Sequence, residues 1–127
     1  MIQLKEMTEY EIEDMKVFKT DEIQWVAAPT LLHALFFLEE QIGELDLSQI
    51  QDIEESNIKT EGMWDSDSVS EKEEQDFKNG KIEIIDAKAA DFGDYGTFAG
   101  MLCKYTSFAE VIKREGVGIY IIACTEY

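Results

Sequence analysis

Basic residues are scarce in this chain. Eleven Lys and Arg stand against twenty-eight Asp and Glu, Arg114 is the sole arginine, and the 127 residues carry a formal charge of −17. Neutralising phosphates needs clustered Lys and Arg, so direct nucleic-acid binding is excluded. Histidine is scarcer still: His33 is the only one. It cannot build a His-rich metal site, and no Ser or Cys arrangement points to it as a catalytic base. Its place at the start of an apolar segment marks it as a packing or capping residue. The two cysteines, Cys103 and Cys124, are too few for a disulfide framework. Both lie in apolar sequence, which predicts buried structural thiols. No long apolar run exists; the longest, Leu31 to Leu38, is interrupted by His33 and is too short to span a bilayer. The first ten residues lack a basic stretch followed by an apolar one. A cytoplasmic, reduced protein without membrane contact is the expectation.

What is present is ordinary globular content. Hydrophobic residues make up 45% and include seven Phe, five Tyr and two Trp, which excludes disorder driven by charge. One domain of this length buries about two-thirds of its unfolded surface. The acids are concentrated: fourteen lie between Glu39 and Asp76 with only Lys59 and Lys72 among them, so residues 39–76 hold −12 of the −17. Like charge at that density costs stability through self-repulsion, and it favours fast encounter with basic partners.

Residues 1–15 read as an acidic N-terminal extension with a loose apolar pattern, and 16–127 as a single domain. Val17, Phe18, Ile23, Trp25 and Val26 predict two short strands, Lys16 to Lys19 and Gln24 to Ala28, forming a hairpin. Thr30 is the N-cap of a helix that stops at Gly43. Leu31, Leu35, Leu38 and Ile42 share one stripe at helical spacing, and Leu32, Phe36 and Phe37 lie off it. A helix apolar nearly all round is either sandwiched between two layers, which is the favoured expectation, or presents an exposed apolar patch to a partner. Leu45, Leu47, Ile50 and Ile53 predict a turn and then a strand, and Asn57 to Trp64 another strand with a bend at Gly62. Asp65 to Asn79 reads as a solvated loop with a marginal helix, ending at Asn79-Gly80. Lys81 to Asp86 alternates as a strand should, and Ala89 to Gly100 reads as an aromatic-rich loop. Ser107-Phe-Ala-Glu110 opens a helix closed by Gly116. Gly118 to Thr125 is the most apolar β run and is predicted to be the central strand. The sum is an α+β fold, a mainly antiparallel sheet with two helices in one compact domain.

No catalytic constellation emerges, so an enzyme is not expected, nor is a cofactor or a metal. Asp65-Ser-Asp67-Ser-Val69 resembles a calcium loop only superficially, since Ser70 stands where the sharp turn needs Gly and no bidentate Glu closes the loop. Asp91-Phe92-Gly93 lacks every other kinase element. Gly93, Gly96 and Gly100 do not have phosphate-loop spacing. The candidate partner-binding residues are the acids Glu54, Glu55, Asp65, Asp67, Glu71, Glu73, Glu74 and Asp76, with the aromatics Trp64, Phe36 and Phe37 beside them. Aromatic anchors next to an acidic rim are how interfaces are built.

The segments Lys16-Val-Phe-Lys, Gln24-Trp25-Val-Ala27-Ala28, the acid-ended helix stopping at Gly43, Ser107-Phe-Ala-Glu and the terminal Thr125-Glu126-Tyr127 resemble a group of small acidic proteins encoded by tailed phages and prophages. The likeness covers about half of the chain, at its two ends, and carries over no functional residue. It implies a phage accessory product similar in character to inhibitors of host defence. The expectation is therefore a protein that inhibits a basic, nucleic-acid-handling host protein or ribonucleoprotein in the manner of an anti-CRISPR or anti-restriction protein. An immunity protein against a basic nuclease toxin shares the same surface. A homo-oligomeric scaffold or a small-ligand sequestering protein is the remaining alternative.

Overall fold

The computed structural model describes residues 9–21, 24–85, 89–98 and 100–124. Its element order is β1 Lys16–Lys19, β2 Gln24–Ala28, α1 Leu31–Ile42, α2 Leu47–Gln51, β3 Glu54–Ser56, β4 Gly62–Asp65, α3 Glu71–Lys78, β5 Tyr95–Phe98, β6 Met101–Ser107, α4 Phe108–Glu115 and β7 Tyr120–Cys124. Two antiparallel sheets form, one in the order β3-β1-β2-β7 and the other β4-β6-β5. The fold is α+β; α3 falls on the marginal helix expected between Asp65 and Asn79, and α2 forms where a turn was expected.

The first sheet is covered on both faces because its central strands are apolar on both. Val17, Ala27 and Ile122 pack with Met15 and with Phe108, Val111 and Ile112 of α4. Phe18, Val26 and Ala28, one step along in the strands, pack with Ala34 and Leu38 of α1. Strand alternation therefore sorts the two cores, and the register Val17↔Ala27 and Phe18↔Val26 keeps each pair on its own face. The second sheet joins through α4. Ser107 ends β6 and also caps α4, accepting from Glu110 N–H, while Phe108 N–H and Ala109 N–H donate to Glu61 and Ile58 carbonyls.

The sequence places α1 correctly but not its surroundings. Thr30 Oγ1 accepts from His33 N–H, and Gly43 at φ 85° ends the helix. Its buried face is His33, Ala34 and Leu38, whereas Leu31 (43%), Phe36 (44%) and Ile42 (57%) are exposed. The helix is covered on one side, not sandwiched, because α4 occupies the opposite face of the sheet.

Other expectations are corrected. Lys81 to Asp86 forms no strand among its described residues; a single parallel bridge joins Ile84 to Tyr95, and Ile85 N–H donates to the Tyr95 carbonyl, while Asp86 lies outside them. The strand in this region is Tyr95–Phe98, within the segment read as a loop. It pairs with β6, which the periodicity did not reveal. Among the described residues β7 is last in the order, beside β2, and Ile121 is exposed. Cys103 is buried, but Cys124 is exposed on β7. Ile23, part of the expected hairpin, and the terminal Thr125-Glu126-Tyr127 lie outside the described residues, as do residues 1–8 of the expected extension.

Candidate functional site

The candidate acids are divided between two places. Glu54 and Glu55 lie on β3, an edge of the first sheet, and both are exposed. The others belong to β4, the turn after it, and α3, on the side of the second sheet. Phe36 and Phe37 stand on α1, over the first sheet; Phe36 is exposed and Phe37 half-buried against the α1 core.

Two of the acids are committed internally. Asp65 ends β4 with its side chain 3% exposed, where it accepts from Arg114 Nη1 at 2.5 Å and from the Ser68 hydroxyl at 2.5 Å. Its other oxygen accepts from Asp67 N–H at 3.1 Å. Burial alone would push this carboxyl up; the Arg114 guanidinium and the Ser68 hydroxyl outweigh it and hold it below the usual range. Glu73, on α3, accepts from the Tyr95 hydroxyl and pairs with Lys104 Nζ at 2.9 Å. The Tyr95 hydrogen bond, opposed by burial and aided by Lys104 and Ser70, lowers its pKa to about 2. Lys104 also sits 5.5 Å from the Tyr95 ring centroid. Glu73 is thus the pin that fastens α3 to β5 and β6. Glu71 and Glu74 on the same helix, and Asp67 before it, are exposed; Asp76 is half-buried.

Trp64 is half-buried on the second sheet. Its ring lies against Gly96, where an added Cβ would come within 2.7 Å of it, and meets Tyr105 edge-on with centroids 5.1 Å apart. A slot of about 150 Å³ opens between the two sheets beside it, lined by Trp25, Met63, Trp64, Phe98, Tyr105 and Phe108. A larger cleft, about 540 Å³, lies where α1 ends, bordered by α2 and the ends of β1, β2 and β3.

His33 is buried, with Nδ1 2.6 Å from Thr30 Oγ1 and its ring edge-on to Tyr10. Its place in the first turn of α1 is that of a packing residue. Among the described residues, no group of three or more His, Cys, Asp or Glu could hold a metal ion. No helix among them is long and apolar enough to cross a membrane.

No family model, curated protein or solved structure matches this chain. Its chemistry is therefore read from its own residues. Of the fourteen acids between Glu39 and Asp76, all but Asp65, Glu73 and Asp76 are exposed. What composition could not reveal was the partners of the other acids: Tyr95, Lys104 and Arg114 come from distant segments. One signal was available, since a sole arginine in a chain of −17 is a strong candidate for an internal ion pair.

Proposed function

We propose that this chain is a non-enzymatic phage or prophage protein that presents a carboxylate surface to a basic, nucleic-acid-handling component of host defence, inhibiting it as an anti-CRISPR or anti-restriction protein does. The observation that carries the reading is the exposure of the acidic segment. Eleven of its fourteen carboxylates face solvent, and the only cations among them are Lys59 and Lys72, both exposed as well. Such a surface occupies a cleft built for phosphates and repels nucleic acid itself. Its field raises the rate of encounter with a basic partner by roughly 10- to 1,000-fold at low salt.

The test replaces Glu54, Glu55, Glu71 and Glu74 together by Gln. These four are exposed and take no part in the Asp65 or Glu73 networks, so melting should stay within about 0.5 kcal/mol of the parent for each site. The expected result is an association rate with the purified host nuclease lowered about tenfold or more, with a flatter dependence on salt. Unchanged inhibition with no salt dependence would overturn the proposal. A toxin gene beside this one would move the reading to an immunity protein with the same surface. The exposed Leu31, Phe36 and Ile42 of α1 favour oligomer formation as the second reading, which light scattering on the eluting species decides.

A further inference from the structure

Helix α1 ends against its own electrostatics. The C-terminus of a helix carries partial negative charge and is stabilised by cations. The last turn of α1 has no basic residue, contains Glu39 and Glu40, and is followed by Glu44 and Asp46. Helix α4 in the same molecule ends on Lys113 and Arg114, as the dipole favours. Local rules broken without an internal compensation are expected at functional or strained places.

That end of α1 opens onto the 540 Å³ cleft. Leu38, Ile42, Leu45 and Ile53 give the cleft apolar surface, and Ile42 is 57% exposed. Asp52 and Glu54 also line it, and among the described residues neither forms an ion pair. Among the described residues the one cation on the lining, Lys19, stands opposite Glu54 in the strand register yet has its ammonium 5.6 Å from the Trp25 ring centroid instead. The cleft therefore joins apolar surface to two carboxylates, Asp52 and Glu54, that form no ion pair among the described residues, and to a helix end whose last turn has no basic residue. Its volume falls within the roughly 300–1,000 Å³ of binding clefts.

We infer that this cleft seats a basic amphipathic segment of the partner protein. An apolar side chain would rest on Ile42, Leu45 and Ile53, and a neighbouring Lys or Arg would lay its methylene stem on the same surface while its head meets Asp52, Glu54 and the last carbonyls of α1. The inference rests on the reading of the chain as a binder of a basic protein, and it adds where on the chain the partner docks.

The experiment titrates the full chain with a synthetic helical peptide of Leu and Lys that has one apolar face, and with a scrambled peptide of the same composition, following backbone amides by NMR. The ordered peptide should shift Ile42, Leu45 and Ile53 saturably and bind about tenfold more tightly than the scrambled one. Ile42→Ser, at an exposed position and with no added charge, should remove about tenfold of that affinity. Glu110→Gln, exposed on α4 and outside both the cleft and the acidic segment, should keep the preference between the two peptides. Equal affinity for both peptides, with shifts spread along α3, would overturn the cleft and leave the acidic surface standing. Binding of neither peptide would overturn both.

Discussion

At the scale of single residues, the acids of this chain do two opposite jobs, and exposure separates them. Asp65 is buried, but its partner Arg114 keeps a third of its side chain exposed, so removing the arginine leaves a buried carboxylate whose lost partner water can replace only in part. Arg114→Met should therefore cost about 1–3 kcal/mol in urea denaturation, while Asp65→Asn combined with Arg114→Met should recover part of that loss. Equal destabilisation in the single and double variants would show that the pair is not coupled. Glu73 makes a pH-dependent contribution. Its pKa falls from 4.5 to about 2 on folding, so the unfolded chain binds its proton first as pH drops. Its stabilisation is complete above about pH 4.5 and is lost as pH falls toward 2. Glu73→Gln should flatten stability across that window, and Tyr95→Phe should weaken it in part. A parent-like acid profile in Glu73→Gln would refute the assignment.

At the scale of elements, α3 and α4 have the same length, eight residues each, but are held by different forces. α4 buries Phe108, Val111 and Ile112, and Phe108→Ala should cost about 3–5 kcal/mol globally. α3 buries no residue; the Ser70–Glu73 capping box and the Glu73 contacts hold it. Ser70→Ala should cost about 1 kcal/mol, and hydrogen exchange should quicken over α3 while α4 stays protected. Uniform acceleration over both helices would contradict this separation. The same contrast explains what could be read from the sequence. β1, β2, α1 and α4 announce themselves through caps, stop glycines and local apolar patterns, all within a few residues of one another. β5 and β6 depend on partners: Gly96 pairs with Cys103 across the ladder and lies against the Trp64 ring of β4, where a larger side chain would not fit. Ile82 and Ile84 alternate well, yet among the described residues only the Ile84 to Tyr95 bridge forms there. The exposure of the acidic segment was legible in its composition. The capture of Asp65 and Glu73 was not, because Arg114 lies 49 residues from Asp65 and Tyr95 lies 22 from Glu73.

At the scale of the whole molecule, the −17 charge sets stability against binding through one variable, salt. The exposed carboxylates repel one another across distances comparable to the Debye length, about 10 Å at 0.1 M salt, so added ions relieve the folded state. The two internal networks are shorter and partly shielded: Lys104 meets Glu73 at 2.9 Å and Arg114 meets Asp65 at 2.5 Å. Screening weakens them less than it weakens the long-range repulsion. Raising NaCl from about 0.02 to 0.5 M should therefore stabilise the chain by about 1–2 kcal/mol, a rise of roughly 4–8 °C in Tm. Chloride is the anion to use, since sulfate strengthens apolar burial independently of charge. Over the same range, affinity for a basic partner should fall, because screening that relieves the surface also weakens its attraction. Opposite slopes for Tm and affinity are the signature of one acidic surface causing both. A Tm that falls with NaCl would mean that attractive pairs dominate the fold, and the carboxylate surface would then lose its claim to be the partner's docking charge.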